Sequence, residues 1–178
     1  NDLTIGANYQ SAIAMTYKRT LSVAATPFGL SVGDKLEQPA EIGFGLSYDI
    51  GAINLSADYK RVKWGSADGY KDFGWIDQDI YAFGAKYEKN GTWYGLGYNY
   101  AKNPIRKNFS STPAVMNAFN YIFFPATQET HYTLGGGTKV SENLSLGLNL
   151  VYGVKKTIHS TGATGPIDVF HSETSFNI

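Results

Sequence analysis

Cysteine is absent from the 178 residues, so disulfides and thiolate chemistry are both excluded. That absence is compatible with an oxidising compartment without fixing one. Charge is scarce and balanced, with 15 basic and 15 acidic residues and a formal net charge of zero. A nucleic-acid partner is therefore not expected, because its basic footprint is missing. No apolar run approaches about 18 residues, so no segment can cross a membrane as a helix. No secretory leader is visible. The chain starts at Asn1 almost inside a strand pattern and stops at Ile178 inside an alternating segment. Both ends read as cut, which predicts a piece of something larger.

The chain is rich in small and aromatic residues: Gly 20, Tyr 13 and Phe 10. The stretch N-L-S-L-G-L-N-L-V-Y-G, 143–153, puts leucine at 144, 146, 148 and 150 and small residues between them. A period of two is a β-strand with one apolar face. A soluble sheet would carry Lys, Glu and Thr on the other face, but here that face is Gly, Ser and Asn. The same alternation marks 3–20, 41–50, 53–60, 79–88, 92–102, 130–139 and 170–178. Asn90-Gly91 is the strongest hairpin signal in the chain. Connections near 50, 90 and 141 are tight, whereas those near 30, 70, 115 and 162 (including 103–126 and 156–168) read as long loops without helical periodicity. Long loops kept to one end are the habit of an outer-membrane barrel. Tyr9, Tyr48, Tyr59, Tyr87, Tyr100 and Tyr152 lie near strand ends, as an aromatic girdle would. The expectation is an all-β fold: a transmembrane antiparallel up-and-down β-barrel, about eight strands, in the outer membrane of a Gram-negative bacterium. Phe44, Leu46, Ile53, Leu55, Phe83, Leu96 and the four leucines above should face lipid. A soluble lipocalin-like barrel that binds lipid is the alternative.

Several stretches together resemble the FadL/TodX family of outer-membrane transporters for long-chain fatty acids and other hydrophobic compounds. They are L-T-I-G-A-N-Y-Q-S-A-I (3–13), Q-P-A-E-I-G-F-G-L-S-Y (38–48), L-S-A-D-Y-K-R-V-K-W (55–64), Y-A-F-G-A-K-Y (81–87) and F-P-A-T-Q-E-T-H-Y-T-L-G-G-G (124–137). The resemblance implies a monomeric barrel of about fourteen strands, with residues 1–178 as its C-terminal part. The family's N-terminal hatch, with its Asn-Pro-Ala motif, and the wall opening of that half have no counterpart here, nor has the aromatic expected after Phe176. The implied activity is passive transport of fatty acids or other hydrophobic small molecules, with no cofactor and no enzymatic step.

Residues 113–126, P-A-V-M-N-A-F-N-Y-I-F-F-P-A, form an apolar outer segment. Val115, Met116, Phe119, Tyr121, Ile122, Phe123 and Phe124 are candidates for gathering a hydrophobic ligand. The plainer reading packs them on neighbouring loops. Lys60 and Lys86 on the polar face are candidates for a fatty-acid carboxylate, though ion pairing with Asp58 and Glu88 is the favoured reading. Gly135-Gly136-Gly137-Thr138-Lys139 lacks the spacing and the following helix of a phosphate loop. His131, His159 and His171 lack ligand spacing, and Asp68, Asp72, Asp77 and Asp79 crowd one loop without an EF-hand pattern, so no metal site is assigned. A lipid hydrolase would need a nucleophile such as Ser110 beside a base such as His131, and nothing joins them. Glycines at 43, 45, 84, 95, 97, 135, 137 and 147 leave too little volume to fill a closed eight-strand barrel. The first and last strands are therefore expected not to pair with each other.

Overall fold

The computed structural model describes residues 2–107, 112–125, 128–162 and 165–178. It is a single antiparallel sheet of eight strands in sequence order: β1 Leu3–Gln10, β2 Glu41–Ile50, β3 Ile53–Val62, β4 Gln78–Lys89, β5 Thr92–Ala101, β6 Thr130–Ser141, β7 Leu144–Gly162 and β8 Gly165–Asn177. β1 and β8 stand at opposite edges and do not pair, as the glycine content led one to expect. Asn90 and Gly91 turn the β4–β5 hairpin with φ of 53° and 75°, the left-handed pair a two-residue hairpin needs.

The register keeps like residues in rows across the sheet. Ile5, Leu46, Ala57, Phe83, Tyr98, Tyr132, Tyr152 and Thr174 are successive cross-strand partners from β1 to β8. The next row, Leu3, Tyr48, Leu55, Ala85, Leu96, Leu134, Leu150 and Phe176, repeats the pattern. On the opposite face the partners are Gly6, Gly45, Asp58, Ala82, Asn99, His131, Gly153 and Glu173. There, polar side chains lie down on the glycine directly across: Asn8 on Gly43, Asp58 on Gly45, Ser56 on Gly84, Thr133 on Gly97 and Asn149 on Gly135. A β-carbon at any of these glycines would collide with its partner.

Three sequence expectations are corrected. The strand read over 3–20 ends at Gln10 and continues only as single bridges, Ile13 to Gln38 and Thr16 to Lys35, in the β1–β2 register. The segment 156–168 is not a loop, because β7 and β8 run through its described residues. The register slips by one between Gly153 and Lys156, a bulge that hides the pattern. Beyond it the polarity is inverted: Thr157, His159 and Thr161 take the face held below by leucine, and Ile158 is buried on the other. The third correction is α2, Pro113–Phe123, a helix within the expected loop 103–126. Proline sits in its first turn, where a missing N–H does no harm, and Met116 and Phe119 share one face at helical spacing.

The buried core is not between sheet layers. It lies at the long-loop end, where Ala25, Phe73, Met116 and Phe119 form one cluster and Ile105, Tyr121 and Ile158 another.

Candidate functional site

The long-loop end forms a cap from α1 (Leu21–Ala25), the 3-10 turns Thr26–Phe28 and Tyr70–Phe73, α2 and the upper part of β7. Its first cluster is walled by Leu21, Phe28, Leu30, Val32, Leu36, Trp75 and Phe124. Trp75 and Phe124 also close the second cluster, with Val169 from β8. Aromatic rings tile the interior: Trp64 lies 5.0 Å from Trp75, Trp75 5.1 Å from Phe124 and Phe73 5.0 Å from Phe119, all inclined rather than stacked.

Asn120 fastens α2 to the loop before β4. It is fully buried, donates from Nδ2 to the Phe73 carbonyl at 2.8 Å and accepts the Trp75 Nε1–H at 2.9 Å. Its neighbour Asn117 is buried too and reaches the Thr161 carbonyl of β7 at 3.5 Å. Gly69, with φ of 85°, brings the 3-10 turn against the Lys35 carbonyl, where a β-carbon would lie 2.5 Å from the oxygen. Asp34 ties the first loop by accepting the backbone N–H of Arg19 at 2.7 Å and of Ser22 at 2.9 Å. These bonds, that of Ser22 foremost, hold its carboxyl below the usual range.

The cap carboxylates are engaged with cations. Asp68 meets Lys71 and Lys35, and Lys71 lowers its pKa. Asp77 is raised by burial but lowered overall by Lys63, the Gly65 N–H and Arg61. Asp79 takes the Tyr59 hydroxyl at 2.7 Å and Arg61 at 3.2 Å. No cluster of three metal-ligating side chains occurs among the described residues.

The expected ligand residues separate into two places. Met116, Phe119 and Tyr121 are buried and pack the cap, as the plainer reading had it. Ile122 and Phe123 are 61% and 46% exposed at the C-terminal end of α2, with Phe28 at 6.1 Å from the Phe123 ring. Val115 and Phe124 are half-buried. Lys60 and Lys86 sit elsewhere, on the small-residue face of β3 and β4. Lys60 pairs with Glu41 at 2.9 Å instead of Asp58, because Asp58 lies across Gly45. Lys86 pairs with Glu88. Ser110 lies outside the described residues, and His131 stands on the small-residue face of β6.

The sequence pattern singles out neither Asn120 nor Trp75, and it places Trp93 opposite Tyr94 and Leu96 without giving it a role. Two asparagines inside an apolar segment, at 117 and 120, were the available signal for a buried polar clasp.

The open antiparallel meander, with its apolar face, glycine-rich face and loop cap, matches in fold about half of a FadL/TodX barrel. Structural matches extend over most of the chain. The toluene transporter TodX of Pseudomonas putida matches over 98% of this chain and 45% of its own, with a TM-score of 0.56 at 15% identity. A FadL homologue of Pseudomonas aeruginosa matches over 98% and 47%, with a TM-score of 0.57 at 14% identity. A deltaS2 mutant of the TodX monoaromatic hydrocarbon channel matches over 82% and 39%, with a TM-score of 0.56 at 15% identity. The chain thus spans less than half the length of these structures. No protein-family model and no curated protein matches the sequence.

Proposed function

We propose that this chain is the C-terminal wall and cap of an outer-membrane barrel that passes hydrophobic small molecules, fatty acids or aromatic hydrocarbons, without ATP or a redox cofactor. The observation that carries the reading is the apolar face. The row from Leu3 to Phe176 is apolar on every strand from β1 to β8, and the face remains exposed, with Leu148 at 55% and Leu96 at 63%. A soluble protein rarely leaves so extended an apolar surface to water, whereas a bilayer covers it. The fold shared with the two Pseudomonas transporters supports the same reading.

In this reading Ile122, Phe123, Val115 and Phe124 offer the cargo its first apolar contact outside the cell, and Met116, Phe119 and Tyr121 hold that surface in place. Lys60 and Lys86 line the interior as members of ion pairs. β1 and β8 pair with strands of an N-terminal half, since open edges in lipid leave backbone groups unsatisfied. The cargo crosses the cap, enters the interior and leaves toward the bilayer. Growth of a deletion strain on oleate and on toluene tests the proposal. A defect on one carbon source names the cargo, and normal growth and uptake on both would refute transport.

A further inference from the structure

Among the described residues, every Phe and Tyr of the eight strands lies on the apolar face. Trp93 is the exception. It pairs with Gly137 on the small-residue face, one row from the tight β4–β5 turn. Its indole lies flat against the wall over four glycines from three strands. A β-carbon at Gly137 would stand 2.5 Å from Nε1, at Gly135 3.1 Å from Cη2, at Gly95 3.5 Å from Cζ3 and at Gly147 3.7 Å from Cζ2. A β-carbon would crowd the ring at Gly137 and Gly135 and make ordinary contact at Gly95 and Gly147; glycine inside a strand weakens it, so the first two are a local sacrifice of strand propensity for a fixed ring position. The ring borders a concavity of about 360 Å³ shared with Asn54, Ser56, Lys86 and Asn149. The Lys86 ammonium, 5.8 Å from the ring centre, is already answered by Glu88.

We infer that Trp93 is the interior contact for the cargo's apolar carbon surface, whether acyl chain or aromatic ring. Among the described residues, the ring is the one large apolar, rigid surface among polar neighbours at that level of the wall, and it is held flat so that it recognises without obstructing. Because the neighbouring cation is paired, recognition falls to the ring and not to a carboxylate. This inference rests on the transport reading and deepens it.

The test compares the full-length protein with its Trp93→Phe variant and takes the difference between the two as the Trp93 emission, so that Trp75 keeps its bond to Asn120. A bromine-labelled fatty acid and bromobenzene should each quench it saturably, the two arms separating acyl from aromatic cargo. Vesicles of brominated phosphatidylcholine, confined to the apolar face, should quench it little. Strong quenching by the phospholipid, or none by either small molecule in protein that still takes up cargo, overturns the inference and leaves transport standing. Saturable quenching in a protein whose deletion leaves uptake unaltered keeps the contact and sinks transport. In the otherwise native protein, Trp93→Ala should lower uptake at limiting cargo about two- to tenfold, the range of one lost aromatic contact. Unaltered uptake would overturn the contact.

Discussion

The two ends of β7 carry opposite patterns on one continuous strand. From Leu144 to Tyr152 the four leucines and Tyr152 lie exposed on one face, and no described residue covers them. Past the bulge at 153–156 that face holds Thr157, His159 and Thr161, and the apolar Ile158 turns inward beneath Tyr121 and Ile105. The upper part is therefore an ordinary water-facing strand with a core behind it. The lower part is apolar where an ordinary strand would be polar, so its partner lies outside the chain. In the proposed reading that partner is lipid, and the bulge marks the level at which the wall leaves it. Lys155, its ammonium set over the exposed Phe170 ring at 4.2 Å, fits such a boundary, where an amphipathic side chain meets an aromatic one.

The largest expected effect breaks the cap and spares the wall. Phe119 is 1% exposed and touches Phe73, Phe28 and Phe123. Phe119→Ala should cost about 3–5 kcal/mol of local cap stability. Limited proteolysis should then nick residues 19–36 and 64–77 while heat-modifiable mobility of the barrel persists. Simultaneous loss of both would show that cap and wall are a single cooperative unit, and the contrast drawn along β7 would fail.

Next in size is a charge placed on either side of the bulge. Leu148→Arg should cost about 2–4 kcal/mol if that face meets lipid near the midplane. Thr157→Arg, on the same face above the bulge, should stay within about 0.5 kcal/mol. Urea titration of folding into vesicles compares the two. Equal costs would remove the boundary, and a tolerated Leu148→Arg would mean that the faces are assigned the wrong way round.

What the sequence disclosed follows the same divide. Where one face is apolar and the other small, a period of two placed β2 to β6 and the lower part of β7 within a few residues and put Phe44, Leu96 and Leu148 on the correct common face. The upper β7–β8 hairpin was lost because its polarity is inverted and a bulge at 153–156 interrupts the alternation just where the inversion begins. α2 is hidden for another reason: most of its eleven residues are apolar and its two asparagines, Asn117 and Asn120, are themselves buried, so no polar outer face marks it, and the fold supplies the packing that makes it a helix. Met116, Phe119 and Tyr121 are legible as apolar residues that pack on neighbouring loops, but which segments bury them, 25–36 and 70–75 among others, is invisible in a local pattern. Alternation alone sets Trp93 opposite Tyr94 and Leu96, but only the register shows which glycines of β6 and β7 lie around its ring.

A smaller effect sharpens the cap itself. Asn120→Ala leaves the Trp75 Nε1–H and the Phe73 carbonyl without their partner in a dry interior. The expected loss is about 1–3 kcal/mol. Hydrogen exchange should speed up in α2 and 70–75 and remain unchanged in β2–β4. Protection unchanged in both would make the clasp redundant with the aromatic packing around it.

The smallest effect is a pH dependence, and its sign follows from Asp34. Its carboxyl is held below the ordinary value of 3.8 by the Ser22 N–H first and the Arg19 N–H second, against a minor opposing contribution from burial. A carboxylate whose pKa is lowered on folding stabilises the folded loop fully above its unfolded pKa and loses that contribution as pH falls through the folded one. The window therefore lies below 3.8, and the loop between Arg19 and Ser22 should stay closed at neutral pH and loosen only in stronger acid. Asp68 and Asp77 are lowered as well, so the second loop should follow in the same direction. Pepsin cleavage at graded acidity reads this out, with nicks appearing at 18–36 before any change in the strands. Asp34→Asn removes the charge at every pH, so its first-loop cleavage should be raised and flat across the window. If the wild type is equally flat, or if nicking begins in the leucine-faced part of β7, the comparison between a titratable cap and a charge-free belt is broken.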